Sequence, residues 1–339
     1  MSKLALVLAG GGGKGAYQIG VWKALREYGV DRNIGAVAGT SVGALNAVAF
    51  VQGDYELAER IWLNISHNQI LKVDVWKLLK NFILEIGSNL NETMIKTFIQ
   101  NKTMIETFIK RKIFNGIFSK DGLLNIIHQY INLSSVSTSE IECYVTCCHI
   151  PSFKAKYFCL SDQSDEKITS ILLASSALPI VFDVETIEGE QYIDGGLVDN
   201  VPIRPLYEKG YRKFLIVHLS RDSVVEINKY PDAKIVQIVP KEHQGALVGG
   251  TLDFSASNAI KRIQQGYEDT IQVLRPLYEM GMIQSKIYQS LHVLKKDNAH
   301  SFQRRTKILH NRQLLKDELG RLLNERGYNN ESSASVEWD

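Results

Sequence analysis

Apolar and polar residues over the first fifty positions follow an alternating strand and helix pattern. The apolar run LALVLA at positions 4–9 predicts a buried strand, and an apolar period typical of a helix follows at positions 17–28. A second apolar run, IGAVAG at positions 34–39, and a second helical segment at 42–51 repeat this order. Because strands joined by crossover helices pair in parallel, this beginning predicts an α/β fold built on a parallel sheet.

The pattern farther along the chain adds strands and helices to this beginning. Further strands are predicted at positions 142–148, 156–160, 213–219 and 234–239. Further helices are predicted at positions 57–65, 123–130, 167–176, 256–274 and 303–323. The fold class predicted from these elements is α/β, with a parallel-rich central sheet, helices on both faces, a helical insertion and a helical C-terminal extension.

The helical insertion is predicted at positions 70–120, where apolar and basic residues alternate. Apolar residues such as Trp76 precede a basic run formed by Lys110, Arg111 and Lys112. Two interpretations stay open for the amphipathic part at 75–118. It packs on the domain as an ordinary helix, or it contacts a membrane surface through its basic side and folds over a site as a lid.

Composition and charge limit the function classes. The chain has 339 residues, of which 45% are hydrophobic and 22% charged, as in an ordinary globular protein. Its 39 basic and 37 acidic residues leave a net charge of +2, so the charge balance does not indicate a nucleic-acid partner. The apolar start is too short for a signal-peptide core, and no later run reaches about eighteen apolar residues. A cytoplasmic location is therefore expected, with peripheral membrane contact as an open addition.

Metal and disulfide chemistry is not indicated by the sequence. The cysteines at positions 143, 147, 148 and 159 cluster on two predicted strands without C-x-x-C spacing, so we interpret them as buried, reduced thiols. No cluster of carboxylates or histidines has the spacing of metal ligands. Neither a metal nor another cofactor is therefore expected.

Four consecutive glycines follow the first predicted strand, within the sequence GGGGKGAYQIG. The spacing Gly10-x-Gly12-x-x-Gly15 fits the dinucleotide-binding fingerprint, and its position between a strand and a helix fits as well. That fingerprint also needs an acidic residue at the end of the second strand, whereas Asp31 precedes this strand. A P-loop is excluded because Lys14 is followed by glycine instead of serine or threonine.

The second predicted strand leads into a G-x-S-x-G sequence, from Gly39 to Gly43. Between a strand and a helix this spacing indicates a nucleophile elbow, a turn so tight that only glycine fits on either side of the exposed Ser41 hydroxyl. The N-terminus of the following helix favours negative charge at the same place. The alternative interpretation is a glycine-flanked turn in which Ser41 only caps the helix.

An activated serine needs a base, and the histidines do not supply an evident one. His218 lies inside an apolar strand pattern, and none of the eight histidines is framed by glycines or a loop. Asp194, in the sequence YIDGG, follows apolar strand residues and precedes two glycines, so it is expected at a strand end where the backbone turns sharply. The alternative is an ordinary Asp-Gly turn.

The order of these motifs resembles that of the patatin-like phospholipases. A glycine-rich loop, G-x-S-x-G and Asp-Gly-Gly follow one another as in that family, and ASSALPIVF at 174–182 and DGGLVDNVP at 194–202 are also similar to family sequences. The resemblance covers about positions 4–219, whereas 70–120 and everything after about 240 match no family pattern. Ala9 replaces an aspartate that many plant members carry before the glycines, which leaves the loop itself intact.

The resemblance implies a three-layer fold and assigns a role to each motif. Ser41 becomes the nucleophile and Asp194 the base, in a dyad without histidine. The glycine loop becomes the oxyanion hole, and the N–H of Val42 is a possible further donor. Lys14 is expected to brace the loop without a catalytic role. The four glycines of the predicted oxyanion hole are Gly10, Gly11, Gly12 and Gly13.

The implied activity is that of a lipid acyl hydrolase acting on a membrane phospholipid or lysophospholipid. The predicted domains are a catalytic domain at 1–240, a helical extension at 241–328 and a disordered tail at 329–339. A Ser-His-Asp esterase and an acyltransferase are alternatives of the same class. Two further alternatives are a nucleotide-binding module, and a regulated effector phospholipase in which the C-terminal third senses a partner or second messenger.

Overall fold

The computed structural model describes residues 3–64, 121–177, 184–223, 225–245, 250–251 and 253–325. Its strands are β1 (Leu4–Leu8), β2 (Ile34–Thr40), β3 (Glu142–Ile150), β4 (Lys154–Cys159), β5 (Glu185–Ile187), β6 (Glu190–Asp194), β7 (Lys213–Val217) and β8 (Lys234–Ile238). Its α-helices are α1 (Ala16–Glu27), α2 (Val42–Gln52), α3 (Tyr55–Asn64), α4 (Asp121–Tyr130), α5 (Leu133–Ser137), α6 (Asp165–Ser175), α7 (Arg204–Glu208) and α8 (Ala256–Glu325).

The strands form one mixed sheet in which parallel pairs predominate. Strands β3, β2, β1, β7 and β8 are neighbours in this order and pair in parallel. Strands β4 and β6 pair antiparallel with β3, and β5 pairs antiparallel with β6. The parallel part follows from the crossover helices between β1, β2 and β3, as the alternating pattern of the sequence predicts.

Both faces of the sheet are buried. In β1, Leu6 and Leu8 join a core cluster with side chains of α1, α2, α3 and α6, whereas Ala5 and Val7 join a second cluster. That second cluster, on the opposite face, contains Leu206 of α7. Because successive side chains of a strand alternate between faces, near-continuous apolar strands require cover on both sides. The structure thus confirms the predicted α/β fold with a parallel-rich sheet and helices on both faces.

The C-terminal helix differs from the prediction. The sequence predicts two helices, at 256–274 and 303–323, whereas the structure contains one continuous helix, α8, with Pro276 inside it. Leucine, methionine, isoleucine, glutamine and lysine make up 12 of the 28 residues between the two predicted segments, and a helix accommodates them at small cost. The helix therefore continues through a position where a single proline suggests an end.

The chain divides into two compact units, Met1–Arg275 and Pro276–Asp339. The first unit contains the whole sheet and the beginning of α8. The second unit contains the rest of α8, where apolar side chains such as Met280, Ile287 and Leu294 are exposed. No helix in the described part of the chain combines the length and the apolar character needed to cross a membrane. The predicted insertion at 70–120, with its amphipathic part at 75–118, and the predicted tail at 329–339 lie outside the described residues.

Candidate active site

Strand β3 brings Ser41 and Asp194 together. Thr40, the last residue of β2, pairs with Thr146 of β3, and Asp194, the last residue of β6, pairs with Cys147. Strand β4 occupies one edge of β3 along both of these positions, so β2 and β6 share the opposite edge. Because β2 runs parallel and β6 antiparallel to β3, the C-terminal ends of β2 and β6 meet. Ser41 follows directly after the end of β2.

Ser41 lies on a turn with strained backbone geometry. Its φ of 56° and ψ of −127° are rare for a residue with a side chain, as the tight turn of a nucleophile elbow demands. The two glycines of the motif make this turn possible, because a Cβ atom on Gly39 would lie 2.2 Å from the carbonyl oxygen of Gly43. A Cβ atom on Gly43 would lie 2.2 Å from the carbonyl oxygen of Leu8, so the turn also packs tightly against β1.

The hydroxyl group of Ser41 donates a hydrogen bond of 2.7 Å to Oδ2 of Asp194. The other carboxylate oxygen of Asp194 accepts a hydrogen bond of 2.7 Å from the backbone N–H of Gly196. The side chain of Asp194 is almost fully buried, and this loss of water raises its pKa from 3.8 to about 6, although both hydrogen bonds act in the opposite direction. A carboxylate with such a pKa is ionised at neutral pH and remains basic enough to accept a proton.

The glycine loop lies beside Ser41. A Cβ atom on Gly10 would come within 3.2 Å of the Cβ atom of Ser41 and within 2.5 Å of Oδ1 of Asn200. The backbone N–H of Gly10 donates to the carbonyl oxygen of Asn200 at 3.2 Å, and the Asn200 side chain donates back to the carbonyl oxygen of Gly10. Gly12 has a φ of 54°, which glycine adopts without strain. The loop can therefore approach Ser41 only because Gly10 has no side chain.

Val42 and Lys14 border the same region. Val42 begins helix α2, so its backbone N–H lies at the helix N-terminus next to the Ser41 hydroxyl. Lys14 belongs to the short 3-10 helix Gly12–Gly15, and its side chain lies against Gly250, where an added Cβ atom would be 2.6 Å from Cε of the lysine. The structure thus brings the glycine loop, Ser41, Val42 and Asp194 together at the ends of β1, β2 and β6, with Lys14 beside them.

A family model described as patatin-like phospholipase matches residues 6–207, more than half of the chain. The chain belongs to the patatin-like phospholipase family. The matched segment runs from β1 to α7 and includes the glycine loop, Ser41 and Asp194. The resemblance inferred from the motifs is thereby confirmed.

The lysophospholipase NTE1 of Cryptococcus neoformans is 24% identical to this patatin-like chain over 239 residues. The alignment covers 68% of this chain but 12% of the fungal protein, so the chain spans a small part of that relative's length. Among solved structures, VipD from Legionella pneumophila has a TM-score of 0.43 at 16% identity, covering 81% of this chain and 67% of VipD. The human GIVD cytosolic phospholipase A2 has a TM-score of 0.38 at 10% identity, covering 80% of this chain and 57% of the human one.

One contact of this patatin-like site was not predicted from the sequence. The backbone N–H of Ser41 donates a hydrogen bond of 2.9 Å to Oγ of Ser175, the last residue of α6. The Ser175 hydroxyl in turn donates to the carbonyl oxygen of Thr146 at 2.7 Å, and the side chain is fully buried. Ser175 therefore links the elbow to β3. The only signal for it in the sequence is the family-like segment ASSALPIVF, which does not reveal which of its serines turns inward.

Two histidines near the sheet, His149 and His218, contact groups other than Ser41. His149 is the second-last residue of β3, and its ring nitrogens contact Oγ of Ser152 at 2.7 Å and Oε2 of Glu190 at 2.8 Å. His218 follows β7 and contacts Gln237 at 2.8 Å. Over the described ranges no histidine hydrogen-bonds to Ser41.

Proposed function

We propose that this protein hydrolyses fatty-acyl esters of phospholipids or lysophospholipids through a Ser41–Asp194 dyad and an acyl-enzyme intermediate. The observation that carries the proposal is the 2.7 Å hydrogen bond from the Ser41 hydroxyl to a buried carboxylate, at a point where two strand ends meet. A nucleophile and a base within hydrogen-bond distance, with the base held by another group, form the arrangement that covalent catalysis requires. Here the Gly196 N–H holds the base.

In the first half of the reaction, Oγ of Ser41 attacks the ester carbonyl carbon while its proton moves to Oδ2 of Asp194. The carbonyl oxygen becomes an oxyanion in a tetrahedral intermediate. As this intermediate collapses, the bond to the alcohol oxygen breaks, and that oxygen takes the proton from Asp194. In the second half, Asp194 accepts a proton from water, the hydroxide attacks the acyl-enzyme, and the fatty acid leaves as Ser41 is reprotonated.

The proposed oxyanion donors are the N–H groups of Gly11, Gly12 and Gly13, supplemented by that of Val42. The N–H of Gly10 is already bonded to Asn200, so the role proposed for Gly10 is to admit the substrate close to Ser41. Each donor aimed at the oxyanion contributes on the order of 3 kcal/mol to transition-state stabilisation. In this proposal Lys14 braces the loop.

The proposed substrate class rests on the family and on its fungal relative, whose name is lysophospholipase. A cytoplasmic location and a contact between residues 75–118 and the membrane surface remain part of the proposal. A lipid hydrolase must take its substrate from an aggregate, and the basic run at 110–112 suits anionic head groups.

Labelling with a fluorophosphonate tests the proposal, because this reagent reacts covalently with an activated serine. The parent protein should be modified at Ser41, as located by peptide mass spectrometry, and Ser41→Ala should not react. Ser152→Ala is the matched control, because Ser152 is also hydrogen-bonded, to His149, but lies outside the site. This variant should react like the parent. The fatty acid released from phosphatidylcholine vesicles and from lysophosphatidylcholine micelles is then measured separately. The comparison shows whether phospholipids or lysophospholipids are the substrate.

Two results would replace the proposal by another one. Absence of labelling, together with thermal stabilisation by a nucleotide, would support a nucleotide-binding module. An acyltransferase would be supported if Ser41 is labelled and if, in a separate assay, the unlabelled protein transfers the acyl group to an added long-chain alcohol and releases no free fatty acid.

A further inference from the structure

The backbone groups of Thr251 and Asp253 lie directly against the glycine loop. A Cβ atom on Gly12 would be 2.1 Å from the carbonyl oxygen of Thr251, and one on Gly13 would be 2.0 Å from the carbonyl oxygen of Asp253. These contacts are with backbone, which cannot move aside as the end of a flexible side chain can. The outer side of the loop is therefore closed by a segment that follows the family-matched residues 6–207.

The beginning of α8 holds this segment in place. Its backbone touches that of α1, because a Cβ atom on Gly20 would be 1.8 Å from the carbonyl oxygen of Ile263 and one on Gly266 would be 2.0 Å from that of Tyr17. Tyr17 also donates a hydrogen bond of 3.0 Å to Asp269 of α8. Residues 256–275 thus pack on the helix that follows the glycine loop.

Arg262 connects α8 to the loop itself. Its buried guanidinium group donates through Nη1 to the carbonyl oxygens of Gly13 at 3.0 Å and Asp253 at 2.8 Å, and through Nη2 to that of Gln244 at 3.4 Å. The carboxylate of Asp253, 3.8 Å away, balances part of the charge. A planar guanidinium group has several N–H donors in fixed directions, so it can bind the three carbonyl oxygens at once. A lysine ammonium group cannot reproduce this geometry.

We propose that Arg262 is a positioning residue for the oxyanion loop, an inference that rests on the proposed function. By holding the carbonyl group of Gly13, it fixes the loop backbone in the conformation that directs the neighbouring N–H groups toward the acyl oxygen. Arg262 and the carbonyl groups that it holds at Gln244 and Asp253 then contribute to the geometry of the site, although the family match ends at residue 207. Since the oxyanion develops only in the transition state, loss of Arg262 affects kcat and leaves KM nearly unchanged.

The test compares Arg262→Gln and Arg262→Lys with Tyr17→Phe. The Tyr17 variant is the matched control, because it removes a buried hydrogen bond between α1 and α8 without touching the loop. For each variant, kcat and KM are measured on a soluble short-chain ester, together with the fluorophosphonate labelling rate and Tm. All rates are taken at temperatures where circular dichroism shows a fully folded protein.

We expect Arg262→Gln to lower kcat and the labelling rate by at least about tenfold with KM within about twofold, and Arg262→Lys to lie between this variant and the parent. Tyr17→Phe should lower Tm while kcat stays within about twofold.

If the parent is labelled at Ser41 and the Arg262 variants match its kcat, this inference is wrong and the proposed function stands. Equal losses of kcat in all three variants would also overturn it, and a parent without labelling would remove the proposed function itself. Should Arg262→Gln not fold, Arg262→Lys decides.

Discussion

The Oγ atom of Ser41 lies 2.7 Å from Oδ2 of Asp194, although 153 residues separate them in the sequence. Both residues occupy fixed places, one directly after β2 and the other at the end of β6, and both strands pair with β3. The distance between them is therefore set by the sheet and does not require a conformational change. Because the geometry is fixed in advance, the proposed dyad can be tested by changes that alter its chemistry and preserve its shape.

Asp194→Asn should abolish activity and at the same time stabilise the protein at neutral pH. The amide has the shape of the carboxylate but cannot accept the proton of Ser41. Because burial raises the pKa of Asp194 from 3.8 to about 6, the native state binds more protons than the unfolded state between these values, so stability falls as the pH rises through that window. Removing the buried charge should recover up to about 3 kcal/mol above pH 6, measured by thermal or urea unfolding.

The gain in stability should shrink as the pH falls below 6 and disappear below about pH 3, where Asp194 is protonated in both states. This disappearance is the internal control, because an improvement in packing would persist at every pH. A variant that retains more than about a tenth of the parent kcat, or that is less stable than the parent at pH 8, would contradict the assignment of Asp194 as a buried, ionised base.

The pH dependence of the parent should show one acidic limb. Only the carboxylate form of Asp194 accepts a proton, and its pKa is about 6, so kcat/KM on a soluble ester should fall roughly tenfold per pH unit below 6 and stay level above it. The rate of fluorophosphonate labelling should follow the same curve. A limb near pH 7 that vanishes on changing one histidine, such as His149→Gln, would instead support a histidine base.

The sequence singles out both members of the proposed pair because each of their motifs is local. The glycines at positions 39 and 43 allow the close backbone contacts of the elbow, and both lie within five residues of sequence. The two glycines directly after Asp194 mark the end of its strand. The apolar runs predicted the strands for a similar reason, since a strand buried on both faces needs apolar residues at successive positions. Each of these patterns is complete within a short window.

The residues around the pair could not be predicted, because their roles depend on distant partners. Arg262 is 249 residues from Gly13, and Ser175 is 134 residues from Ser41. The sequence around each of these two residues is that of an ordinary helix. The sequence singles out Gly12 but does not reveal that it needs to be glycine partly because Thr251 approaches it from another part of the chain.

Gly39→Ala should disrupt the elbow. Its Cβ atom would meet the carbonyl oxygen of Gly43 at 2.2 Å, so the turn must open and move Ser41 away from Asp194. We expect a fall in Tm and a loss of kcat of at least about a hundredfold, since small displacements of reacting groups cost that much. Gly320→Ala is the control, because nothing lies within 4 Å of the added Cβ atom in α8. It should leave kcat unchanged; equal kcat in Gly39→Ala and parent would mean that the elbow does not position the nucleophile.

Charge reversal at Lys110, Arg111 and Lys112 should weaken binding to anionic vesicles. These residues lie outside the described residues, and the prediction follows from their charge alone. Each basic residue near an anionic surface contributes about 1 kcal/mol, so the triple change to glutamate should lower flotation with phosphatidylserine vesicles at low salt and lower activity on them. Activity on a soluble ester should be preserved.

The control for this charge reversal is the same change at three exposed basic residues of α8, namely Arg304, Arg305 and Lys307. It alters the net charge equally and should not affect vesicle binding. If the two triple variants float alike, the membrane contact proposed for residues 75–118 is wrong.

Ser175→Ala should lower kcat although Ser175 contacts neither the proposed base nor the substrate. Its Oγ atom accepts the hydrogen bond from the N–H of Ser41 at 2.9 Å, and this bond helps to hold the elbow at a φ of 56°. Without it, a buried N–H loses its acceptor at a cost of about 1–3 kcal/mol, and the strained turn relaxes. We expect kcat to fall at least about tenfold with KM within about twofold, and labelling of Ser41 to slow equally.

The neighbouring serine supplies the matched control for Ser175→Ala. The Oγ atom of Ser176 is buried and has no hydrogen-bond partner among the described residues, so Ser176→Ala removes an oxygen of equal size without removing a contact of the elbow. Because an unsatisfied buried hydroxyl stabilises nothing, this variant should keep the parent kcat and equal or exceed its Tm. Equal kcat values for Ser175→Ala and Ser176→Ala would show that the hydrogen bond to the Ser41 N–H does not position the nucleophile, and the strain at Ser41 would then be maintained by Gly39, Gly43 and the packing of α2 alone.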